Sequence, residues 1–273
     1  MKFHTLKDLL IGIKGAGEMA TGIACRLSNS NFRHIFMVEI ENPLAVRRKV
    51  SFCEAVHEKS AIVEGITAVK VEHSADFADA WNKNLIPVLV DPKWESIKSV
   101  SPHLVIDAIL AKKNLGTGIA DASLVIGLGP GFTAGQDVHM AIETNRGHNL
   151  GRIILKGSPE PNTGIPGTIS GFNLERVLRA PCQGVFRPEK KIGDMVKAGE
   201  LIGRINEEPV LTQIDGVLRG LIRPDSKVKS DLKIGDVDPR GKPDYCTSIS
   251  EKARAIGGSV LAAVLRKYMQ RIG

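Results

Sequence analysis

Aromatic residues are scarce, at 4% of the chain. No stretch of basic residues alternates with Phe or Tyr, so a groove that stacks single-stranded bases is not expected, and nucleic acid is not among the expected partners. Cysteine is scarce too: Cys25, Cys53, Cys182 and Cys246 are far apart and form no C-x-x-C pair. That spacing suggests neither a zinc ribbon nor a disulfide framework, and the plain expectation is reduced thiols in a cytoplasmic protein, none of them catalytic. Long apolar runs are missing. Nowhere do about 18 consecutive apolar residues occur, and the opening MKFHTLKDLLIGIKGAGE reaches a glycine turn after a very short one, so neither a signal peptide nor a membrane span is expected. No metal-ligand pattern stands out.

What is present is an ordinary globular balance, 42% hydrophobic and 25% charged, over 273 residues. At roughly 150 residues per domain that length suggests about two domains, each able to bury a core. The net charge is +7 and the cations are spread along the chain, which suits an anionic small-molecule ligand better than a polyanion-binding tail.

The segment DLLIGIKG followed by EMATGIACRLSNS reads as strand, tight turn and helix, with Met19, Ile23 and Leu27 at helical spacing. HIFMVEIENP then supplies a second strand ending in Glu39, completing a βαβ unit. Further apolar runs at 86–92, 103–111 and 123–131 extend a mostly parallel sheet covered by helices. We therefore expect an α/β fold: a Rossmann-like domain over residues 1–170, with ligands at the carboxyl ends of its strands.

After about Gly171 the texture changes. APCQGVFRPEKKIGDMVKAGELIG (180–203) and TQIDGVLRGLIRPDSKVKSDLKIG (212–235) resemble one another, an internal repeat of about 32 residues. This predicts a small all-β module over 171–245 with two pseudo-symmetric halves, similar to the hammerhead fold of biotinyl and lipoyl carriers. The stretch between the halves, NEEPVLTQIDG, has no lysine for a swinging arm. Residues 246–273 read as a terminal helix packing on the body, opened by Thr247, Ser248 or Ser250, with Ser248 three before Glu251 as in a capping box.

Five constellations carry candidate chemistry. Gly15-Ala16-Gly17-Glu18-Met19-Ala20 is a G-x-G-x-x-A turn between strand and helix, with Glu39 placed to accept ribose hydroxyls. Glu18 inside that turn would repel phosphate, so the alternative is a tight turn kept without a cofactor. Arg47-Arg48-Lys49 is either a phosphate clamp or a solvated helix start. In DAILAKKNLGT, Asp107 ends a strand and Lys112, Lys113, Asn114 and Thr117 follow. The densest segment is 127–152: Gly129, Gly131 and Gly135 permit a nest of backbone N–H groups, and Thr133, Gln136, Asp137, His139, Glu143, Arg146 and His148 surround it. His139 and Glu143, four apart, would share a helix face. PNTGIPG (161–167) is a turn-rich lid or domain crossing.

Taken together, IKGAGEMATGIACRL, PLAVRRKVSFCEAV, DAILAKKNLGT, GLGPGFTAGQDVHMAIETNRGHNLGR, PNTGIPG, RAPCQGVF, GVLRGLI and KIGDVDPRG resemble the YqeB family of selenium-dependent molybdenum hydroxylase accessory proteins, across nearly the whole chain. The resemblance implies a cytosolic maturation factor whose partners are the apo-hydroxylase or other maturation factors, and it transfers no catalytic residue. Joined to the residues above, it leads us to expect a dinucleotide such as NAD, or molybdenum pterin cytosine dinucleotide, at the strand ends. Gly15, Gly17, Ala20, Glu39, Arg47, Asp107, Lys112, Asn114, Gly129, Gly131, Thr133, Gly135 and Arg146 are the candidate binding residues. The rival expectations are an NAD-dependent oxidoreductase, with His139 or His148 carrying the proton, and a scaffold without chemistry. Assembly of several copies is left open.

Overall fold

The computed structural model describes residues 5–269. Residues 1–4 and 270–273, the outer ends of the two terminal segments read above, lie outside the described residues. The chain divides into two compact units: one holds 1–43, 51–162 and 249–273, the other 44–50 and 163–248. A linear boundary at residue 170 therefore misses an excursion, because the chain enters the second unit for Leu44–Val50 and returns.

The first unit is a mixed α/β structure. Its strands are β1 (Leu10–Lys14), β2 (His34–Glu39), β3 (Ser60–Val63), β4 (Ile66–Val71), β5 (Ile86–Val90), β6 (Leu104–Asp107), β7 (Leu124–Leu128), β8 (Met140–Ile142) and β9 (Ile153–Ile154). They form one sheet in the order β3-β4-β5-β2-β1-β6-β7-β8-β9. From β4 to β8 every neighbour is parallel, and only the edge strands β3 and β9 run antiparallel. The central strands are continuous apolar runs because both faces are covered, and β7 is buried at every position. Phe36, Phe77, Val105, Val125 and Phe132 pack in one cluster, with the Phe36 and Phe77 rings stacked at 4.7 Å.

Helices α1 (Glu18–Asn29), α2 (Ala55–Glu58), α3 (Phe77–Asn82), α4 (Glu95–Val100) and α5 (Glu251–Met269) complete the unit. The C-terminal helix α5 packs on α1 through small residues: a Cβ on Gly257 would lie 2.9 Å from the Gly22 carbonyl oxygen, and one on Gly22 would lie 2.9 Å from the Ala253 Cβ. Only glycine allows that approach of backbones. Ser250, not Ser248, caps α5, its Oγ accepting from Ala253 N at 3.3 Å. Among the described residues no helix is long and apolar enough to cross a membrane.

The second unit is a small β module of two antiparallel four-stranded sheets. Its strands are β10 (Val177–Arg179), β11 (Gly184–Pro188), β12 (Met195–Val196), β13 (Leu201–Ile205), β14 (Glu208–Leu211), β15 (Gly216–Leu221), β16 (Lys227–Val228) and β17 (Lys233–Asp238). The strands β11, β12 and β13 recur 32 residues later as β15, β16 and β17. The halves interlock, β11 pairing with β16 and β12 with β15. Phe186, Ile202, Ile205, Val217, Leu218, Ile234 and Val237 fill the core.

This module also buries charge. Arg219 on β15 donates to Asp236 Oδ2 at 2.9 Å through Nε and to Asp238 Oδ2 at 3.0 Å through Nη1. Arg176 donates to the other Asp236 oxygen, and Arg240 bonds both oxygens of Asp238 at 2.9 and 2.6 Å. Burial opposes the charge of Asp236 and Asp238, but the surrounding cations hold both carboxyls below the ordinary aspartate value.

Candidate functional site

In the first unit, the strand order reverses between β1 and β6: β2, β5 and β4 follow on one side of β1, while β6, β7 and β8 build the other. In open α/β sheets such a reversal at the carboxyl ends is where a ligand crevice is expected. Lys14 and Asp107 are register partners there, the last paired residues of the two central strands.

Gly15 turns the chain out of β1 with φ +87°, and a Cβ there would sit 3.3 Å from the Ala108 carbonyl oxygen, so the glycine turn lies directly against the β6 loop. Gly17 caps α1, and a Cβ on it would meet nothing within 4 Å. Ala20 is buried in the first turn of the helix. Glu39, at the end of β2, points back into this turn. Its Oε2 accepts from Ala16 N at 2.8 Å and its Oε1 from Ile40 N at 2.8 Å. Burial pushes the Glu39 carboxyl up, against the lowering effect of those two N–H bonds.

Beside the turn lies a buried polar cluster. Lys14 is 1% exposed, and its Nζ donates to Thr117 Oγ1 at 2.7 Å and to Asp121 Oδ2 at 3.0 Å. The same Nζ stands 4.4 Å from the centre of the Trp94 ring, a cation–π contact. Thr117 in turn donates to Asp107 Oδ2 at 2.7 Å, while Asp107 Oδ1 accepts from Ile109 N at 3.2 Å. Burial is the largest influence on Asp107 and raises it above the ordinary aspartate value. Asn114 shapes the loop: its Oδ1 accepts from Gly116 N and Thr117 N, both at 2.8 Å. Lys14 gives no motif in the sequence, because it is a lone lysine closing an apolar strand.

The glycine loop after β7 joins this assembly. A Cβ on Gly131, whose φ is +109°, would lie 2.6 Å from the Lys113 Cα, so the two strand-end loops pack backbone to backbone. A Cβ on Gly129 would meet Thr144 Oγ1 at 2.5 Å. Lys112 and Lys113 are exposed at this rim. Asp107, Lys112, Asn114, Gly129 and Gly131 are thus gathered with Gly15, Gly17 and Glu39 at the carboxyl edge.

Other candidates stand elsewhere or are engaged. Arg47 belongs to the second unit, where its Nη2 donates to the carbonyls of Tyr245 at 2.8 Å and Ser248 at 3.0 Å. Arg48 and Lys49 likewise serve the Leu221 and Ile192 carbonyls. The three adjacent cations satisfy backbone acceptors of the β module and form no phosphate clamp. Arg146 is ion-paired with Glu251 of α5. Thr133 bonds Ser158 through its hydroxyl at 3.0 Å and takes Asp137 Oδ2 on its N–H at 2.9 Å. Gly135 has φ +88° and no atom within 4 Å of its Cβ position.

His139 and Glu143 do not share a helix face, since the residues between them form β8, which pairs with buried β7. They flank opposite ends of that strand. His139 lies at the amino end, where its Nδ1 accepts from Val125 N at 3.0 Å, and burial lowers its pKa. Glu143 is buried and accepts from Asn145 N and Glu160 N, both at 2.7 Å, which makes it a loop brace. Burial pushes the Cys25 thiol up to about 12.

No protein-family model matches the chain. Over 269 residues it is 46% identical to the uncharacterized protein YqeB of Escherichia coli (strain K12), a match covering 98% of this chain and 50% of that protein. The match makes this chain, over nearly its whole length, similar to YqeB. The chain spans about half the length of YqeB. Among solved structures, a succinylglutamate desuccinylase/aspartoacylase from Rhodobacter sphaeroides superposes with a TM-score of 0.22 and 20% identity, over 31% of this chain and 29% of that one. TcdA (CsdL) superposes with a TM-score of 0.35 and 12% identity, over 97% of this chain and 88% of that one. Likenesses this distant carry no functional argument, so the reading rests on the YqeB match and on the site.

Proposed function

We propose that the chain is an accessory protein that holds an anionic, nucleotide-bearing ligand at the carboxyl edge of its α/β unit and serves a molybdenum hydroxylase partner. The observation that carries the ligand half is the convergence of the Gly15–Gly17 turn, the Lys112–Lys113 loop and the Gly129–Gly131 turn where the strand order reverses. The parallel run β5-β2-β1-β6-β7-β8 supports a Rossmann-like reading of this unit. The interlocked 32-residue halves support a hammerhead-like reading of the β module, used for docking. The hydroxylase half rests on the family resemblance.

The residues fit a diphosphate. The space at Gly17 leaves room against backbone, and neither Lys112 nor Lys113 has a hydrogen-bond or ion-pair partner among the described residues. Lys112 and Lys113 would neutralise it, with the Gly17 turn approaching as backbone. Glu39 spends one lone pair on Ala16 N and one on Ile40 N, so it braces the turn, and keeps the others for a ribose hydroxyl. The molybdenum pterin dinucleotide is cargo in this reading, and the chemistry it supplies belongs to the hydroxylase. Hydride transfer to NAD would need His148 as its proton carrier, because His139 sits at the amino end of β8, away from the carboxyl edge.

A thermal-shift and calorimetric panel of NAD, NADP, CTP and molybdenum pterin cytosine dinucleotide tests the reading. A ligand at 100 times its Kd adds about 2.7 kcal/mol. At roughly 2–4 °C per kcal/mol that is about 5–10 °C in Tm. We expect this shift with the pterin dinucleotide and a smaller one with CTP. A shift with NAD alone would favour the oxidoreductase, and a blank panel would overturn ligand binding and leave a scaffold.

A further inference from the structure

Lys14 is the cation of a buried cluster that holds two carboxylates, Asp121 in direct contact and Asp107 through Thr117. It closes a strand whose other residues are Leu10, Ile11, Gly12 and Ile13, and it is buried. Burying an ion pair removes both charges from water, a cost that the pairing often only just repays, so an apolar pair of the same volume would hold the fold as well. The surroundings are also conformationally costly. Trp94, Leu110 and Lys112 all adopt left-handed backbone, with φ 56°, 60° and 63°. That region is uncommon for bulky side chains and recurs at functional sites. At Trp94 this backbone accompanies an indole ring lying over the ammonium.

The pair is asymmetric in a way that matters. The Lys14 side chain is 2% exposed, whereas that of Asp121 is 24% exposed. Asp121 comes from the β6–β7 connection, and apart from Lys14 it accepts from Gly118 N at 3.2 Å. An anion entering from solvent therefore meets the carboxylate first, with the ammonium behind it.

We propose that Lys14 is a binding cation of this crevice, held in reserve by Asp121 until the phosphate or diphosphate group of a ligand takes the place of that carboxylate. The inference rests on the reading of the crevice as an anion site and adds its regulation. Exchanging one anion for another leaves the buried ammonium compensated before and after, at lower cost than removal of Asp121, after which Asp107 alone faces it through Thr117. Thr117 accepts from Lys14 and donates to Asp107, which keeps Nζ oriented during the exchange. Glu39 on Ala16 N is a second protein carboxylate occupying a donor of the same turn.

The test uses inorganic pyrophosphate, calorimetry, and Trp94 fluorescence in a Trp81→Phe background, which leaves Trp94 as the sole tryptophan. Asp121→Asn keeps the lysine and removes its competitor, so pyrophosphate should bind about fivefold or more tightly, and Lys14→Met should weaken it at least about tenfold. Trp94 emission should change in step with the calorimetric saturation. If Lys14→Met does not fold, Asp121→Asn decides alone, since a purely structural pair would lose stability there without gaining affinity. Pyrophosphate binding that Asp121→Asn leaves unchanged overturns this inference and leaves the crevice reading standing. Absence of pyrophosphate binding overturns the inference as well, and if CTP and the dinucleotides also fail to bind, the crevice reading falls with it.

Discussion

Arg219→Met should destabilise the β module by about 3–5 kcal/mol, the cost typical of removing one member of a buried ion network. Arg219 reaches two carboxylates on β17, and Asp238 is fully buried. After the substitution Asp238 keeps Arg240, and Asp236 keeps Arg176 and Lys233, so what is lost is the one cation that bridges the two carboxylates and its buried charge-assisted hydrogen bonds. Amide exchange of β15 and β17 reads the effect within the module. A loss below about 1 kcal/mol would mean the network is worth no more than a surface pair.

Gly131→Ala is the second large effect. The new Cβ would fall 2.6 Å from the Lys113 Cα and 2.7 Å from its carbonyl carbon, and backbone atoms do not yield as a flexible side chain does. Left-handed strain adds to the clash at φ +109°. We expect about 2–4 kcal/mol of destabilisation, at the upper range for a single substitution, together with at least about tenfold weaker anion binding as the two loops part. Gly135→Ala is the control. It carries similar strain at φ +88° but meets no atom within 4 Å, so it should cost only about 1–2 kcal/mol and leave binding intact. Equal losses at both positions would deny the loop contact its role.

The α/β layering is legible in the sequence because parallel strands covered on both faces are written as unbroken apolar runs. Ile35–Val38 and Leu124–Leu128 are examples. The β3–β4 hairpin is less legible, since an edge strand such as Ser60–Val63 is mostly exposed and carries no such run. Strand β8 hides in a glycine-rich stretch because three residues are too few for a period to show. The 32-residue repeat is readable because each half must supply the same turns and core positions to interlock with the other.

The site divides along a similar line. Glycines with positive φ announce turns, and Gly15, Gly129 and Gly131 do so here. Cations announce nothing about their partners. Arg47, Arg48 and Lys49 look like a clamp until the carbonyls they serve are seen, because such pairings join residues up to about 200 positions apart. Lys14 is the reverse case, inconspicuous in the chain and central in the fold. Its partners Trp94, Thr117 and Asp121 come from two different connections, which spacing alone cannot bring together.

Hydrogen–deuterium exchange of the intact chain with and without saturating CTP tests the central claim, that the carboxyl edge of the α/β unit is the ligand site. The account predicts slowed exchange at residues 15–18, 108–117 and 129–133 and no change across β11 to β17. Protection confined to the β module, or calorimetric binding with no protection at those three loops, would contradict it.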